Sequence, residues 1–242
     1  VEYNNFTNSS EILPALYVRK DLRNDLEFHF IVNRSYRLPS FTELYYEDLV
    51  NKGDSGLKSE SSWNFTGGAS FPVCKYFRKL SCDLFLREES NLIDWLETSA
   101  KSNKYNAVNI GSVKRQGVEL RGTFKLSPLT LYAGYNFIEN ATGSLLLSGR
   151  NSKYALRNPV HHTFAQASVD LPFGVKNNWN AVYKDRKGEK PYTVVSADFS
   201  KKYSDFNVSL SILNVFDAAY EEILGVTQAG RRVELNVTYT LF

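Results

Sequence analysis

Few residues of this sequence have the types and spacing needed for acid–base, nucleophilic or metal chemistry. Among 242 residues there are 3 His and 2 Cys, and none stands in a catalytic motif such as GxSxG or HExxH. His161 and His162 are adjacent, so on a strand their side chains point to opposite faces and do not share one metal ion. Cys74 and Cys82 lack the spacing of a metal site or of a disulfide scaffold. We therefore expect no catalytic residue, no metal site, no cofactor and no enzymatic activity.

The composition restricts the class of protein further. Lys and Arg number 29 against 26 Asp and Glu, so the net charge of +3 gives no argument for a nucleic-acid partner. The chain is 43% hydrophobic and 14% aromatic, with 15 Tyr and 16 Phe. It has no apolar run approaching the roughly 18 residues of a transmembrane helix. A membrane β-barrel remains possible, because its strands alternate lipid-facing and lumen-facing residues.

Polar and apolar residues alternate with the period of a β-strand through most of the chain. The last segment shows the pattern best, since Val233, Leu235 and Val237 alternate with Glu234 and Asn236. Helical spacing is nowhere sustained, so we predict an all-β fold. The pattern gives about eleven strands, at residues 15–21, 26–37, 63–71, 80–87, 117–126, 129–137, 163–171, 175–186, 192–203, 205–213 and 230–242, with residues 1–7 as a candidate twelfth.

The connections between these strands alternate between short and long. Short connections lie at residues 21–25, 72–78, 126–129, 172–175 and 203–205, and the others at 38–58, 89–104, 139–159, 187–191 and 217–229. This order predicts a sheet with tight turns at one edge and long polar loops at the other. Outer-membrane barrels have this asymmetry, whereas a soluble Greek-key sandwich places long connections at both ends.

The two faces of the predicted strands leave two alternatives open. In a soluble sheet the polar face is solvated and the apolar face is core; in a barrel the polar face lines the lumen and the apolar face meets lipid. Tyr and Phe near the strand ends favour the barrel, because amphipathic rings concentrate at the headgroup boundary. We predict an antiparallel transmembrane β-barrel, with Leu120, Val169, Leu210 and Val237 facing lipid and Arg121, Asp170, Ser209 and Asn236 facing the lumen.

Several segments resemble one family when they are taken in order along the chain. Residues 38–46 and 56–60 resemble the "P-S-F-x-E-L-Y … N-P-x-L-K-P-E" stretch of the TonB-dependent outer-membrane receptors, with Ser59 in place of a Pro. Three later segments are similar to that family's "G-V-E", "R-x-P-x-H" and "N-L-F-D-x-x-Y" motifs, at residues 116–120, 156–162 and 214–220. The resemblance runs from about residue 26 to the end.

The resemblance implies the fold and the partners. The family fold is a barrel of about 22 strands whose lumen is filled by an N-terminal plug. Residues 1–242 are then expected to be the C-terminal half of such a barrel, with the upstream barrel half, the plug and the segment that engages TonB outside this chain. The expected location is the outer membrane of a Gram-negative bacterium, in contact with its lipid.

The resemblance also implies a function, which is energised uptake of a scarce, large ligand. The short loops and the string Asn91-Leu92-Ile93-Asp94-Trp95 are most similar to the vitamin B12 (cobalamin) receptors, so cobalamin is the expected ligand. The alternatives are a siderophore or haem receptor of the same family, a free-standing porin of about 12 strands, and a soluble β-sheet binding module.

Ligand contacts are expected from the long loops and the upper lumen. Arg157 occupies the arginine of the "R-x-P" motif, and the resemblance implies that it contacts the ligand; the alternative is a rim cation facing lipopolysaccharide or solvent. Tyr45 and Tyr46 lie on the longest loop, where they could stack on a corrin or aromatic ligand or serve in loop packing. Tyr192, which follows the 187–191 loop, is the remaining candidate.

Overall fold

A computed structural model of the chain describes residues 2–4, 9–99, 103–142, 150–223 and 225–241. Its main feature is an 11-stranded antiparallel sheet in which every strand pairs with its neighbours in sequence. The strands are β1 (Ala15–Asp21), β2 (Glu27–Arg37), β3 (Glu60–Phe71), β4 (Phe77–Ser90), β5 (Val113–Leu126), β6 (Leu129–Thr142), β7 (His161–Asp170), β8 (Val175–Asp185), β9 (Tyr192–Tyr203), β10 (Phe206–Leu213) and β11 (Arg232–Tyr239).

All eleven predicted strands are present, and β1 and β9 have the predicted bounds. The sequence pattern ended β4 and β6 too early and began β5 too late, always at the long-loop edge. At that edge, positions that are apolar further along the same strands become polar, as at Glu88 and Glu139. The alternation of polar and apolar residues therefore ends before the backbone pairing does. The candidate twelfth strand is not part of this sheet, because Glu2–Asn4 pairs only with Ser9–Glu11 in a separate hairpin.

The alternation of short and long connections is confirmed by the strand bounds. The tight turns are compact enough to need left-handed backbone positions, for example Asn24 with φ 63° and Gly174 with φ 73°. Gly tolerates this conformation because it has no side chain, and Asn tolerates it because its side chain is short. The tight turns and the long loops therefore lie at opposite edges of one continuous sheet.

The main sheet is open among the described residues. β1 and β11 are its two edge strands and do not pair with each other. An open edge leaves backbone N–H and C=O groups without partners, which a membrane-spanning sheet cannot leave exposed to lipid. The described residues therefore form a section of a barrel wall and not a closed 12-stranded pore.

The strand register places the predicted sets of side chains on opposite faces. Leu210 lies opposite Phe199 and Leu235, whereas Ser209 lies opposite Ser200 and Asn236. The remaining predicted pairs follow the same division through the register of the intervening strands. We call these the apolar face and the polar face of the sheet.

The apolar face is not covered by a second layer of protein. Large side chains on it are exposed, among them Leu84 at 59% and Leu235 at 68%. Within the described ranges, the buried hydrophobic residues lie in the long loops, apart from Ala197 and Val113 of the main sheet. A wide exposed apolar surface on a folded protein indicates contact with another apolar phase. No helix of the described residues is long and apolar enough to cross a membrane.

The face assignment predicts an asymmetric response to charge. In the full-length protein, we expect Leu210→Arg to lower the free energy of unfolding by about 2–4 kcal/mol, because an Arg on the lipid face loses its hydration. Ser209→Arg, one residue away on the polar face, should be much milder. Denaturant unfolding in lipid vesicles measures both.

Stability alone does not identify the apolar phase, so thiol labelling provides the control. Before labelling, the thiols of Leu210→Cys and Val237→Cys should be protected from water-soluble thiol reagents. Fluorophores then attached at the two positions should be quenched by lipid-borne quenchers. An absence of lipid quenching at both sites in a folded, membrane-inserted sample would show that the apolar face is not the lipid face.

Candidate ligand-binding site

The long loops fold into a compact unit at one edge of the sheet, which we call the loop cap and define as residues 38–59, 91–99, 103–112 and 150–160. It contains the short helix α1 (Phe41–Tyr45) and a three-stranded sheet of Asn51–Lys52, Tyr105–Asn109 and Ile93–Glu97. Ser40 caps α1, accepting from the N–H of Glu43 while the Glu43 carboxylate accepts from the N–H of Ser40. This reciprocal capping explains why a helix starts within the "P-S-F-T-E-L-Y" motif.

The loop cap has its own hydrophobic core. Leu92, Leu96, Ile110 and Val113 form one buried cluster, against which Leu156 packs. A second cluster contains Trp95, Tyr105 and Ala107, packed against Leu57. Burial of apolar side chains between loops that are distant in sequence stabilises a defined arrangement of those loops.

An arginine clamp attaches the cap to the sheet. At the end of β2, Arg37 donates to both oxygens of Glu43 at 2.8 and 2.9 Å, and its Nε donates to Glu60 at 2.7 Å. Glu60 in turn accepts from the backbone N–H of Ile93 at 2.5 Å. Burial raises the pKa of Glu43, but the bonds from Arg37 and Ser40 outweigh it, so the pKa stays below its usual value. Glu43 thus remains a charged partner of the Arg37 guanidinium, which also bonds to Glu60.

Two buried carboxylates hold residues 150–156 in the cap. Asp94 accepts from Ser152 Oγ and from the N–H of Ala155 at 3.2 Å. Glu97 accepts from the backbone and side-chain N–H groups of Asn151 at 3.1 and 2.9 Å. Burial raises the pKa of Asp94, and the hydrogen bonds that it accepts from Ser152 and Ala155 oppose this rise. The sequence pattern gave no sign of either carboxylate's role, because their partners lie more than 50 residues away.

A cavity of about 290 Å³ lies between the cap and the polar face. Arg115 on β5 donates to the carbonyl of Ala155 at 2.8 Å, and Asn140 on β6 donates to Asn158 at 2.6 Å. The cap therefore folds over the polar face and not away from it. Strands β3 to β6 supply most of the lining, and Asn158 is the cap residue that contributes to it. The walls are both polar and apolar, with Asn64, Thr66, Asp83, Arg115 and Glu119 beside Phe65, Phe85, Leu86 and Ile138.

The polar face below the cap carries a charged cluster. Asp83 lies 3.0 Å from His29 Nε2 and 3.2 Å from Arg121 Nη1, and Arg121 also contacts Glu119. The His29–Asp83 contact passes over Gly68, where a Cβ atom would overlap Asp83 Oδ1 and lie 2.6 Å from His29 Cε1. Glycine is needed here because two side chains occupy the space that any other residue's Cβ would take.

Arg157 lies in the loop cap. Its Nη2 is 2.6 Å from Glu189 Oε1, and its side chain is 12% exposed. Its carbonyl oxygen accepts from Nε of Arg186 at 2.9 Å. The guanidinium is therefore enclosed and ion-paired through Nη2, while Nε and Nη1 have no hydrogen-bond partner among the described residues.

Tyr45 and Tyr46 lie at the end of α1 and are 58% and 47% exposed. The Tyr45 ring is 6.1 Å from that of Phe41, and the Tyr46 hydroxyl donates to Asp48 at 2.9 Å. Hydrogen bonds from Asn51 and Val50 hold the pKa of Asp48 at about 2, so this carboxylate is a permanent acceptor above that pH. Both rings retain surface that an apolar ligand could cover.

Tyr192 begins β9 and lies on the polar face, opposite Lys184 of β8. Its ring is 4.9 Å from the ring of Tyr220, and its hydroxyl accepts from Arg186 at 3.2 Å. The structure thus brings Tyr192 and Arg157 near each other through Arg186, while Tyr45 and Tyr46 lie on a different loop. The sequence pattern gave no sign of a role for Lys184 or Arg186.

An open antiparallel meander with an exposed apolar face, a polar face and a packed loop cap at one edge defines a section of a loop-capped β-barrel. The chain belongs to the family of TonB dependent receptor-like β-barrels, whose sequence profile matches residues 1–215. This is a family of outer-membrane receptors and not of enzymes.

Solved structures share the fold at low sequence identity. The FrpB iron transporter from Neisseria meningitidis is 20% identical with a TM-score of 0.68, and covers 96% of this chain and 39% of its own. The siderophore receptor PirA from Pseudomonas aeruginosa is 15% identical with a TM-score of 0.66, over 95% of this chain and 40% of its own. For the copper transporter OprC the values are 16%, 0.68, 94% and 38%. The chain spans about two fifths of the length of these structures.

Gly68 and its neighbour provide a matched test of the charged cluster. We expect Gly68→Ala to destabilise the full-length receptor by about 1–3 kcal/mol, because the new methyl group forces His29 and Asp83 apart. Gly67→Ala, on the apolar face with its nearest neighbour at 3.7 Å, should be tolerated. Thermal unfolding in detergent measures both, and equal effects would contradict the close approach at Gly68.

The buried carboxylate Asp94 provides a test of the cap. In Asp94→Ala, Ser152 and the N–H of Ala155 lose their acceptor, which costs about 1–3 kcal/mol for each buried donor. Hydrogen exchange of residues 150–156 should become faster while the strands stay protected. Glu47→Gln is the control. This cap carboxylate is exposed, and its ion pair with Lys52 Nζ, at 3.5 Å, is a surface contact that contributes little to stability. Unchanged exchange at 150–156 in Asp94→Ala would mean that the cap is held elsewhere.

Proposed function

We propose that this chain forms part of the barrel wall and the loop cap of an outer-membrane receptor that takes up a scarce, large nutrient, using energy delivered through TonB. The observation that supports this most is the cavity on the polar face below the cap, which has both polar and apolar walls. A packed cap that turns inward over the polar face provides a mouth where a ligand is held before entry. This function also requires a plug and the remainder of a closed barrel wall.

We propose a metal chelate of the siderophore type as the ligand. The similar solved structures are an iron transporter, a siderophore receptor and a copper transporter. The sequence argument for cobalamin rested largely on the string at residues 91–95. Leu92, Ile93 and Trp95 of this string are buried in the cap at 8%, 4% and 8% exposure, so cap packing accounts for them. Cobalamin and haem therefore become the second candidates.

The proposed contacts are the tyrosines with free ring surface and the cations near the rim. Tyr45 and Tyr46 offer exposed rings on the outer side of the cap, suited to stacking on a planar or aromatic ligand. Tyr192 lies on the polar face at the mouth. Arg157 is enclosed beside Glu189, so it would contact a ligand only in a rearranged, ligand-bound cap. Capture and transport at these residues require no catalytic group.

Uptake by the full-length receptor tests the proposal. Cells that express it should accumulate one of three labelled probes, a ferric siderophore with free carboxylate groups, haem or cyanocobalamin, and accumulation should stop when TonB is deleted, because passage of a large ligand past a plug needs energy. Equilibrium binding of the same probes to purified receptor, with Tyr45→Ala compared to wild type, identifies the ligand. We expect the ferric siderophore to bind best and Tyr45→Ala to weaken its binding about tenfold, the loss of one well-packed aromatic contact.

The deletion of TonB also separates this function from passive diffusion. Uptake that continues at full rate without TonB, or that is proportional to probe concentration without saturation, would identify a passive pore and contradict the proposal. Tight binding of cyanocobalamin alone would retain the receptor and change its ligand.

A further inference from the structure

Three donors from the rim of the polar face converge on one carboxylate. Glu222 lies on a hairpin of Glu221–Ile223 and Val226–Thr227 within the loop that joins β10 to β11. Lys184 Nζ donates to both of its oxygens at 2.7 and 2.9 Å, and Arg186 Nη2 donates at 2.8 Å. The Tyr192 hydroxyl makes a further hydrogen bond to it. Two cations and a phenol thus surround a carboxylate contributed by a loop.

The donors are held in place without Glu222. Arg186 is 7% exposed, and its remaining N–H groups donate to the carbonyl of Arg157 at 2.9 Å and to Tyr192 at 3.2 Å. Lys184 belongs to β8 and is paired in register with Tyr192 of β9. Glu222 by contrast is 38% exposed and joined to the sheet by a hairpin. The site is therefore preorganised, while its occupant belongs to a hairpin whose Glu221 carbonyl also accepts from Arg186 Nη1, at 3.4 Å.

We propose that Lys184, Arg186 and Tyr192 form a binding site for a carboxylate group of the incoming ligand, and that Glu222 occupies this site as a tethered substitute until the ligand displaces it. The inference rests on the proposed function and assigns an acidic ligand to it. A carboxylate is the group of choice because a guanidinium and an ammonium already hold one here with good geometry. Displacement releases the hairpin and so connects ligand binding with movement of the last loop.

The charges around the site support an exchange of one anion for another. Lys184 and Arg186 carry two positive charges against the single charge of Glu222, and the adjacent Arg157 is balanced by Glu189. The imidazole of His162 faces Lys184 from β7. Burial raises the pKa of Glu222, but the bonds from Lys184, Tyr192 and Arg186 outweigh it and keep the pKa below its usual value. Glu222 is therefore ionised at neutral pH and competes with an external carboxylate.

Removing the tethered charge should open the site to a soluble carboxylate. Citrate serves as the probe, and isothermal titration of the full-length receptor in detergent measures its affinity. We expect Glu222→Gln to bind citrate about tenfold more tightly than wild type, because the tethered competitor loses the charge that its bonds to Lys184 and Arg186 depend on. Glu221→Gln is the matched control, since the adjacent carboxylate accepts from the N–H of Gly225 at 2.8 Å and from neither cation of the site, so the affinity should stay unchanged.

A second variant and a second measurement complete the test. Lys184→Gln combined with Glu222→Gln should abolish the gain, and citrate should accelerate hydrogen exchange of residues 221–223 and 225–227 in wild type but not in Lys184→Gln. Equal citrate affinity in wild type and Glu222→Gln, or a gain that survives Lys184→Gln, would overturn the tethered-substitute inference. TonB-dependent uptake that persists alongside such a result leaves the receptor function standing, whereas TonB-independent uptake contradicts that function whatever the citrate result.

Discussion

The structure depends on one constraint, which is that each strand of the main sheet pairs with its sequence neighbours in an antiparallel register, shifted at one bulge between Thr123 and Phe124 near the turn edge. This register places His29, Asp83, Glu119, His162 and Tyr192 on one face of a single sheet, although they belong to five different strands. Because side chains alternate strictly along each strand, a slip of one residue in any pair would move charged groups to the apolar face. The charged cluster and the rim site therefore exist only because the pairing is continuous.

The loop cap follows a different physical rule from the sheet. The sheet satisfies its backbone groups through regular pairing and leaves its apolar face outside, whereas the cap buries an apolar core and uses charged side chains as connectors. Arg37 links the end of β2 to α1 and β3, and Asp94 and Glu97 hold a segment that is distant in sequence. Buried carboxylates of this kind are tolerated because their oxygens accept several hydrogen bonds.

The ligand assignment shows how one motif can carry two meanings. The string at residues 91–95 resembles part of a receptor subfamily, yet in the structure it supplies Leu92 to one core cluster, Trp95 to the other, and Asp94 as an anchor. A string that packing alone explains gives little information about cargo. The rim site of Lys184, Arg186 and Tyr192 is more informative, because its donors already surround a carboxylate and so indicate the chemistry of a ligand.

The sequence alone determined the eleven strands, the order of short turns and long loops, and the two faces of the sheet, because alternation is a property of neighbouring residues. It also indicated Tyr192 as a rim residue. Phe242, the last residue of the final predicted strand, lies outside the described residues. Only the tertiary structure decided that Arg157 pairs with Glu189, that Asp94 accepts from Ser152, and that Lys184 binds Glu222. These contacts join residues separated by 32 to 58 positions in the sequence. A local periodicity cannot predict contacts over such separations. They arise when loops from different strand pairs fold onto the same edge of the sheet.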